Sequence, residues 1–363
     1  MGTARTIAFT RGVPPSDAFP VDEVVECAEA ALRQDPAVLL QYGRSAGYLP
    51  LRQWIAEANG RAVDDVLVSN GSLQILDFIS MSLLNPGDTV FVEAPTYDRA
   101  LTTFRRYRAQ AVGIPLENDG VDLDAFEQAL RSRRPRLFYV IADFQNPAGA
   151  TTSAAKRRRL IELAEQHGFW IVEDAPYRDL RYYGEPQPPM ASLSPPRVLQ
   201  LSSFSKRISP GIRIGYLIAP PEVVSRLSKV AEDTYISPAM PTEGIVHEYC
   251  RRGYLERNIP RLRDLFRPKL DATLAALSRD LPEANWMRPE GGYFVGVNLP
   301  IDLPGKTLVA KAAEAGLALT DGDGFFPEKP AQTFVRIPFC GITVPEIEEG
   351  VARLAQVCRE LIK

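Results

Sequence analysis

The sequence predicts an α/β fold: a mostly parallel central sheet flanked by helices in a large domain, joined to a smaller α+β domain. Three features predict it. Short, continuous apolar runs recur from Val66 onward, as in strands buried on both faces. Amphipathic helical stretches separate those runs. Beyond about Leu265 the alternation stops and a different pattern begins.

Along the chain, the stretch to about Gly47 is rich in Pro, Gly and Tyr and carries one helix, over 22–33. Strands are predicted over 66–69, 89–93, 110–114, 137–142, 170–173, 198–202 and 213–218. Helices are predicted over 72–84, 99–107, 123–132 and 153–167. Asn70-Gly71-Ser72 starts the first of these, and Asn85-Pro86-Gly87-Asp88 stops it. Thr151-Thr152-Ser153 precedes the fourth. It stops at Gly168, which leaves His167 a capping position. A further helix begins near Pro221 and runs toward Lys229. A long helical stretch, with Arg261, Arg263 and Arg267 near its start, leads to Pro289-Glu290-Gly291-Gly292-Tyr293-Phe294-Val295. A helix over 305–315, a strand over 334–338 and a helix over 344–361 complete the smaller domain. The expected division is an N-terminal arm with part of the small domain (1–45), a large domain (46–264) and a C-terminal small domain (265–363). The cleft between them is the expected place for a site.

Composition narrows the function. With 363 residues, 45% of them hydrophobic, the chain can bury a large core. A net charge of −3 speaks against nucleic acid as a partner. Of the 42 basic residues only eight are Lys, so each Lys merits separate attention. Cys27, Cys250, Cys340 and Cys358 form no CxxC pair and no zinc spacing, and read as reduced thiols. His167 and His247 are too few and too far apart for a metal site, so none is expected. No membrane-length apolar run or leader-like segment is present, and a cytoplasmic protein is expected. No GxGxxG follows a strand, which sets aside a dinucleotide dehydrogenase.

Five local features carry chemistry. Ser69-Asn70-Gly71-Ser72-Leu73-Gln74 is a strand end, a Gly turn and a helix start. It is an anion site in form, and taken alone is more often an ordinary helix cap. Glu93-Ala94-Pro95-Thr96-Tyr97 follows a strand, and Tyr97 could stack on a flat ligand or pack in a loop. Asn146-Pro147-Ala148-Gly149 is a turn at the carboxyl end of a strand, where open α/β sheets bind ligands. Glu173-Asp174-Ala175-Pro176-Tyr177 ends an apolar strand on a carboxylate. Asp174 wants a cationic partner, such as a protonated pyridine nitrogen, or caps the next turn. Tyr177 could donate to a phenolate oxygen. Last, Ser203-Phe204-Ser205-Lys206 places a lone Lys among hydroxyls, seven residues before Arg213. Ser203, Ser205 and Arg213 together would satisfy a phosphate. A buried Lys of depressed pKa suits Schiff-base chemistry.

At these residues the sequence resembles the class I/II aminotransferases of pyridoxal-phosphate (PLP) fold type I, and especially the branch of 2-aminoadipate and kynurenine aminotransferases. The resemblance covers nearly the whole chain. It includes Gln41-Tyr42-Gly43, Gly47-Tyr48, Pro50-Leu51-Arg52 and Asn85-Pro86-Gly87-Asp88. Its most specific piece is Ser203-Phe204-Ser205-Lys206 with Pro210-Gly211-Ile212-Arg213-Ile214-Gly215-Tyr216. The resemblance implies that the cofactor is pyridoxal 5'-phosphate and that Lys206 holds it as a Schiff base and then shuttles a proton. It implies that Asp174 pairs with the pyridine nitrogen, that Asn146 and Tyr177 bond the ring oxygen, and that Tyr97 stacks on the ring. Ser72, the backbone of Leu73, Ser203, Ser205 and Arg213 would hold the phosphate. Tyr42 would reach the phosphate of a neighbouring subunit, which implies a homodimer. Arg336, with Asn146 and Gly12 beside it, would bind the substrate carboxylate. The implied reaction moves an amino group between an L-amino acid and a 2-oxo acid.

Departures from the pattern are Arg11 before Gly12-Val13-Pro14, Leu73, the segment 234–238, and Asp321 before Gly322. Most flank the substrate side, so they weaken the choice of substrate and leave the cofactor untouched. Other fold type I reactions (β-lyase, decarboxylase, cyclising synthase) share the same cofactor residues. An aminotransferase-like sensor domain would need a DNA-binding extension, and no basic helical one precedes the matching segment. Phe19, Tyr293 and Phe325 read either as an apolar pocket or as plain core.

Overall fold

The computed structural model describes residues 5–193 and 196–362. In the first part of the chain, β1 (Ile7–Phe9), α1 (Val21–Gln34), α2 (Pro36–Leu39) and α3 (Leu49–Ala58) precede β2 (Val66–Ser69) and α4 (Ser72–Leu83). Then follow β3 (Thr89–Ala94), α5 (Asp98–Arg106), β4 (Gln110–Glu117), β5 (Gly120–Val121), α6 (Leu123–Ser132), β6 (Pro135–Val140), α7 (Ala154–His167) and β7 (Trp170–Asp174). After β8 (Val198–Ser203) and β9 (Gly215–Ile218) come α8 (Pro221–Tyr235), α9 (Met240–Arg251) and α10 (Tyr254–Asp280). The last part holds β10 (Asn285–Trp286), β11 (Phe294–Asn298), α11 (Gly305–Glu314), β12 (Leu317–Leu319), β13 (Phe334–Pro338) and α12 (Val344–Ile362).

The main sheet has the order β2-β9-β8-β7-β6-β3-β4-β5. From β8 to β4 all neighbours are parallel, as the crossover helices require. β9 runs antiparallel to both β8 and β2. A loop of some ten residues joins β8 to β9, too short for a crossover, so the chain returns antiparallel. Alternate residues feed two cores. Val92, Tyr139, Val172 and Leu201 pack with α4, α5 and α8 on one face. Phe91, Phe138, Val140 and Ile171 pack with α6 and α7 on the other. Both faces are therefore covered, and the apolar runs are continuous for that reason.

Most predicted elements stand within a residue or two of their expected limits. The strand expected over 213–218 begins only at Gly215, because Arg213 takes a left-handed backbone (φ 52°). The strand expected over 137–142 ends at Val140, so residues 141–149 form the loop of the site. Ser153 caps α7, its side chain accepting from the Lys156 N–H, and Gly168 (φ 78°) ends it after His167. Beyond the main sheet, β10, β11 and β13 form a small antiparallel sheet. The N-terminal β1 pairs in parallel with β12, Phe9 opposite Leu319. The arm is thus held by the C-terminal part of the chain, which brings Thr10 and Gly12 toward the site. α10 runs unbroken through the position expected to divide the domains, between 264 and 265.

Candidate active site

The carboxyl ends of β3, β6, β7 and β8 meet at one edge of the sheet, and their loops carry the predicted residues. One end of the cavity is built for an anion. Gly71 has a left-handed φ of 100°, and a Cβ there would lie 2.2 Å from Arg213 Nη2. A Cβ on Gly215 would lie 2.2 Å from the Ser72 nitrogen. Side chains are excluded at both points, so the start of α4 and the Arg213 turn close on each other. Arg213 donates to Ser205 Oγ (3.4 Å) and to the Asn70 carbonyl (3.2 Å). Ser203 Oγ donates to the Ile214 carbonyl (3.2 Å) and accepts from the Ser205 N–H (3.1 Å). Free helix N–H groups, two hydroxyls and a guanidinium thus surround one small space.

Lys206 stands at the middle. Its Nζ donates to the Gly12 carbonyl at 3.4 Å and lies 5.4 Å and 5.8 Å from the ring centres of Tyr293 and Tyr177. Burial holds its pKa below the usual Lys value, and the Arg336 and Arg213 charges add to that effect. Asp174, at the end of β7, is buried. Tyr139 donates to its Oδ2 at 2.7 Å, while Oδ1 has no partner. Burial pushes this carboxyl up to about 6, against the pull of the Tyr139 bond.

Arg336 approaches from β13. It is buried and donates to Asn146 Oδ1 (3.0 Å) and to the Thr10 carbonyl (2.8 Å). Its guanidinium lies between the rings of Phe294 and Phe325, 4.5 and 4.6 Å from their centres. Its Nε has no partner.

Ser72, Leu73, Tyr97, Asn146, Asp174, Tyr177, Ser203, Ser205, Lys206 and Arg213 all line one cavity of about 180 Å³. Arg336 and Gly12 border it through Asn146 and Lys206. Tyr42 does not line it and is 74% exposed. A larger groove, of about 540 Å³ between Pro95, Trp286 and Phe334, has no titratable side chain in its wall. Among the described residues no cluster of His, Cys, Asp and Glu could hold a metal ion, and all four cysteines are buried and free.

The family model for aminotransferase class I and II matches residues 5–354. The chain belongs to the class I and II aminotransferases. It is 36% identical to aromatic-amino-acid aminotransferase 1 of Thermococcus litoralis, over 99% of this chain and 90% of that one. It is 36% identical to 2-aminoadipate transaminase of Thermus thermophilus, over 98% of this chain and 91% of that one. Among solved structures it resembles the kynurenine aminotransferase of Pyrococcus horikoshii, a complex with PMP, at a TM-score of 0.95 and 34% identity. That match covers 99% of this chain and 92% of that one. This aminotransferase has PLP fold type I, and its reaction is PLP-dependent transamination.

The cavity fits the cofactor on its own geometry. It offers an anion cup at one end, a buried unpartnered carboxylate oxygen at the other, and a Lys with lowered pKa between them. Sequence reading missed several neighbours of these groups. Tyr139 was assigned only to a buried strand. Gln145 donates to the Pro95 carbonyl (2.7 Å) and to Glu93 (3.1 Å), and accepts from the Ala148 N–H (2.7 Å). It thereby ties the Tyr97 loop to the Asn146 loop. Phe325 and Tyr293, left open between pocket and core, lie against Arg336 and Lys206 respectively. Arg11 is exposed, and Phe19 is half-buried.

Proposed function

We infer that this aminotransferase exchanges an amino group between an L-amino acid and a 2-oxo acid at the Lys206 cavity. The observation that carries this reading is the meeting of Lys206, the free Oδ1 of Asp174 and the Asn146–Arg336 pair around one buried space. Bound PLP supplies an electron sink for the bond broken at the amino acid's Cα. Ser72, the Leu73 N–H, Ser203, Ser205 and Arg213 would hold its phosphate. Tyr97 would stack on the ring, and Asn146 and Tyr177 would bond its oxygen, since all three line the cavity. Asp174 Oδ1, which has no partner, would accept from the ring N–H and favour its protonated form. Lys206 anchors the cofactor. Its Nζ then moves the Cα proton, a task helped by a lowered pKa. Arg336 grips the α-carboxylate of donor and acceptor alike. Holding that group disfavours its loss as carbon dioxide.

The relatives named above suggest an aromatic, 2-aminoadipate-like or kynurenine-like donor. A homodimer belongs to the same reading. Val21, Val25, Leu32, Leu40, Tyr42 and Leu73 are large and exposed in the single chain, as a subunit interface needs. Tyr42 would complete the partner's phosphate cup. The division into 1–45, 46–264 and 265–363 is kept as a proposal. So is a cytoplasmic location, which four free thiols suit. Among the described residues no helix is long and apolar enough to cross a membrane. The test is a panel of amino donors and oxo acceptors, read for keto-acid exchange and ping-pong initial rates. Carbon dioxide release in place of exchange would overturn it.

A further inference from the structure

Asp174 is held in an unusual way for a buried carboxylate. Among the described residues it joins no ion pair, and its single hydrogen bond comes from the Tyr139 hydroxyl. Register explains the contact. Tyr139 of β6 stands opposite Val172 of β7, and neighbours in a parallel pair point to the same face. Asp174 is two residues further along β7, again on that face. The Tyr139 ring is fully buried and packs edge-on against Phe104 of α5, with centres 5.9 Å apart. Its hydroxyl is thus delivered to Oδ2 by packed strands and a helix, and not by a mobile loop. Oδ1 is left to the cavity.

We propose that Tyr139 is a positioning residue of this aminotransferase: its hydroxyl keeps Asp174 ionised and turned so that Oδ1 meets the ring nitrogen of the cofactor. The inference rests on the proposed role of Asp174. The titratable groups around the pair are Tyr97 beyond β3, Tyr177 beyond β7, Glu93 on the opposite face of β3, and Lys206 and Arg213, which line the same cavity as Asp174. Neither cation pairs with Asp174, and among the described residues none but Tyr139 donates to its side chain. Burial raises the Asp174 carboxyl, and the Tyr139 bond is the one influence that lowers it. Burial also pushes the Tyr139 phenol well above its ordinary value, so it remains a donor throughout the working range.

The variant Tyr139→Phe keeps the ring and removes only the hydroxyl. Asp174 should then titrate at higher pH, so that less of it is ionised near neutrality. The Kd of the apoenzyme for PLP should weaken more near pH 6 than near pH 8. We expect the ratio of the two Kd values to exceed the wild-type ratio by about threefold or more, as befits a lost hydrogen bond to a charged group. Turnover should fall by about tenfold, while the KM for the amino acid, set at Arg336, stays near wild type. A wild-type Kd ratio with wild-type turnover would reduce Tyr139 to core packing. So would a lowered thermal midpoint with an unchanged ratio. A second arm compares Asp174→Asn with the double variant Tyr139→Phe/Asp174→Asn. Loss of the hydroxyl should have no further effect on turnover once Asp174 is Asn, and additive losses would overturn the proposal. Failure of the underlying reading is distinct, since Asp174→Asn would then itself turn over normally.

Discussion

Replacing Arg336 by Ala tests the substrate handle directly. The guanidinium is buried, stacked between two Phe rings, and spends two donors on Asn146 and Thr10. Nη1 and Nη2 each keep a second N–H for a carboxylate. Such a pair would be charge-assisted and largely out of water, and truncating one partner costs about 2–5 kcal/mol. That converts to a loss of roughly 30- to 4,000-fold in kcat/KM. The loss should fall on donor and acceptor together, because both present an α-carboxylate. The phosphate cup lies on other loops, so the cofactor should stay bound with unchanged absorbance.

Initial rates with both substrates varied, alongside the visible spectrum of the purified variant, make the measurement. Arg336→Lys adds a graded control. It restores the charge but neither the fork nor the flat face that fits between Phe294 and Phe325, so most of the loss should persist. Loss of the cofactor from the Ala variant would place Arg336 in the wrong site. A KM change confined to one substrate would refute the shared handle.

Other outcomes follow from the same geometry. Borohydride reduction should fix the cofactor on Lys206, and a peptide map placing it on Lys229 or another Lys would sink that assignment. Asp174→Asn should fold yet lose most of its turnover, since the ring nitrogen is no longer held protonated. Gly71→Ala should lose PLP affinity, because the added Cβ meets Arg213 Nη2 and the backbone sits at φ 100°; unchanged affinity would mean the cup can open freely. Glu243 is buried, one of its oxygens is unpartnered, and burial pushes it up to about 8 from 4.5. The folded chain therefore keeps a proton that the unfolded chain releases. The stabilisation is full below about pH 4.5 and declines up to about pH 8, by up to about 1.4 kcal/mol per pH unit. Glu243→Gln should flatten this slope in urea midpoints measured near pH 6 and pH 8, and an unchanged slope would count against it.

The cofactor side of the site was legible because each of its residues sits on one strand-end loop. Lys206, Asp174, Asn146 and Tyr97 each follow an apolar run whose end marks the sheet edge. A parallel sheet brings such loops together whatever its strand order, so local reading sufficed. The strand order itself was not readable. β3 lies between β6 and β4, and nothing local in 89–94 or 135–140 announces that pairing. Tyr139 was hidden for this reason. Its place in a buried run is visible and a buried Tyr needs a partner, but that partner sits 35 residues away on a strand whose neighbour had to be known first. The helix limits stand within a residue of those expected: α6 matches 123–132 at both ends, and α7 starts one residue later than expected because Ser153 is its cap, and stops as expected before Gly168.

The substrate side is composite, and that is why sequence reading stopped short of a substrate. Arg336 is held by Asn146, 190 residues away, and by Thr10, 326 residues away. Its two aromatic faces come from β11 and from the loop before β13. Thr10 arrives only because β1 pairs with β12, a contact between opposite ends of the chain. Five segments, β13 included, must come together before the carboxylate pocket exists, whereas the phosphate cup needs two turns, at Gly71 and at Arg213, that touch directly. A change in substrate can therefore be made in the arm or near Phe325 without disturbing Lys206 or Asp174. Two of the four departures from the family pattern lie in those same places: Arg11 stands one residue beyond Thr10, and Asp321 caps the short turn that carries Phe325. On the proposed roles, variation there would alter which side chain is admitted, and the chemistry at Cα would stay with the residues that follow the strands.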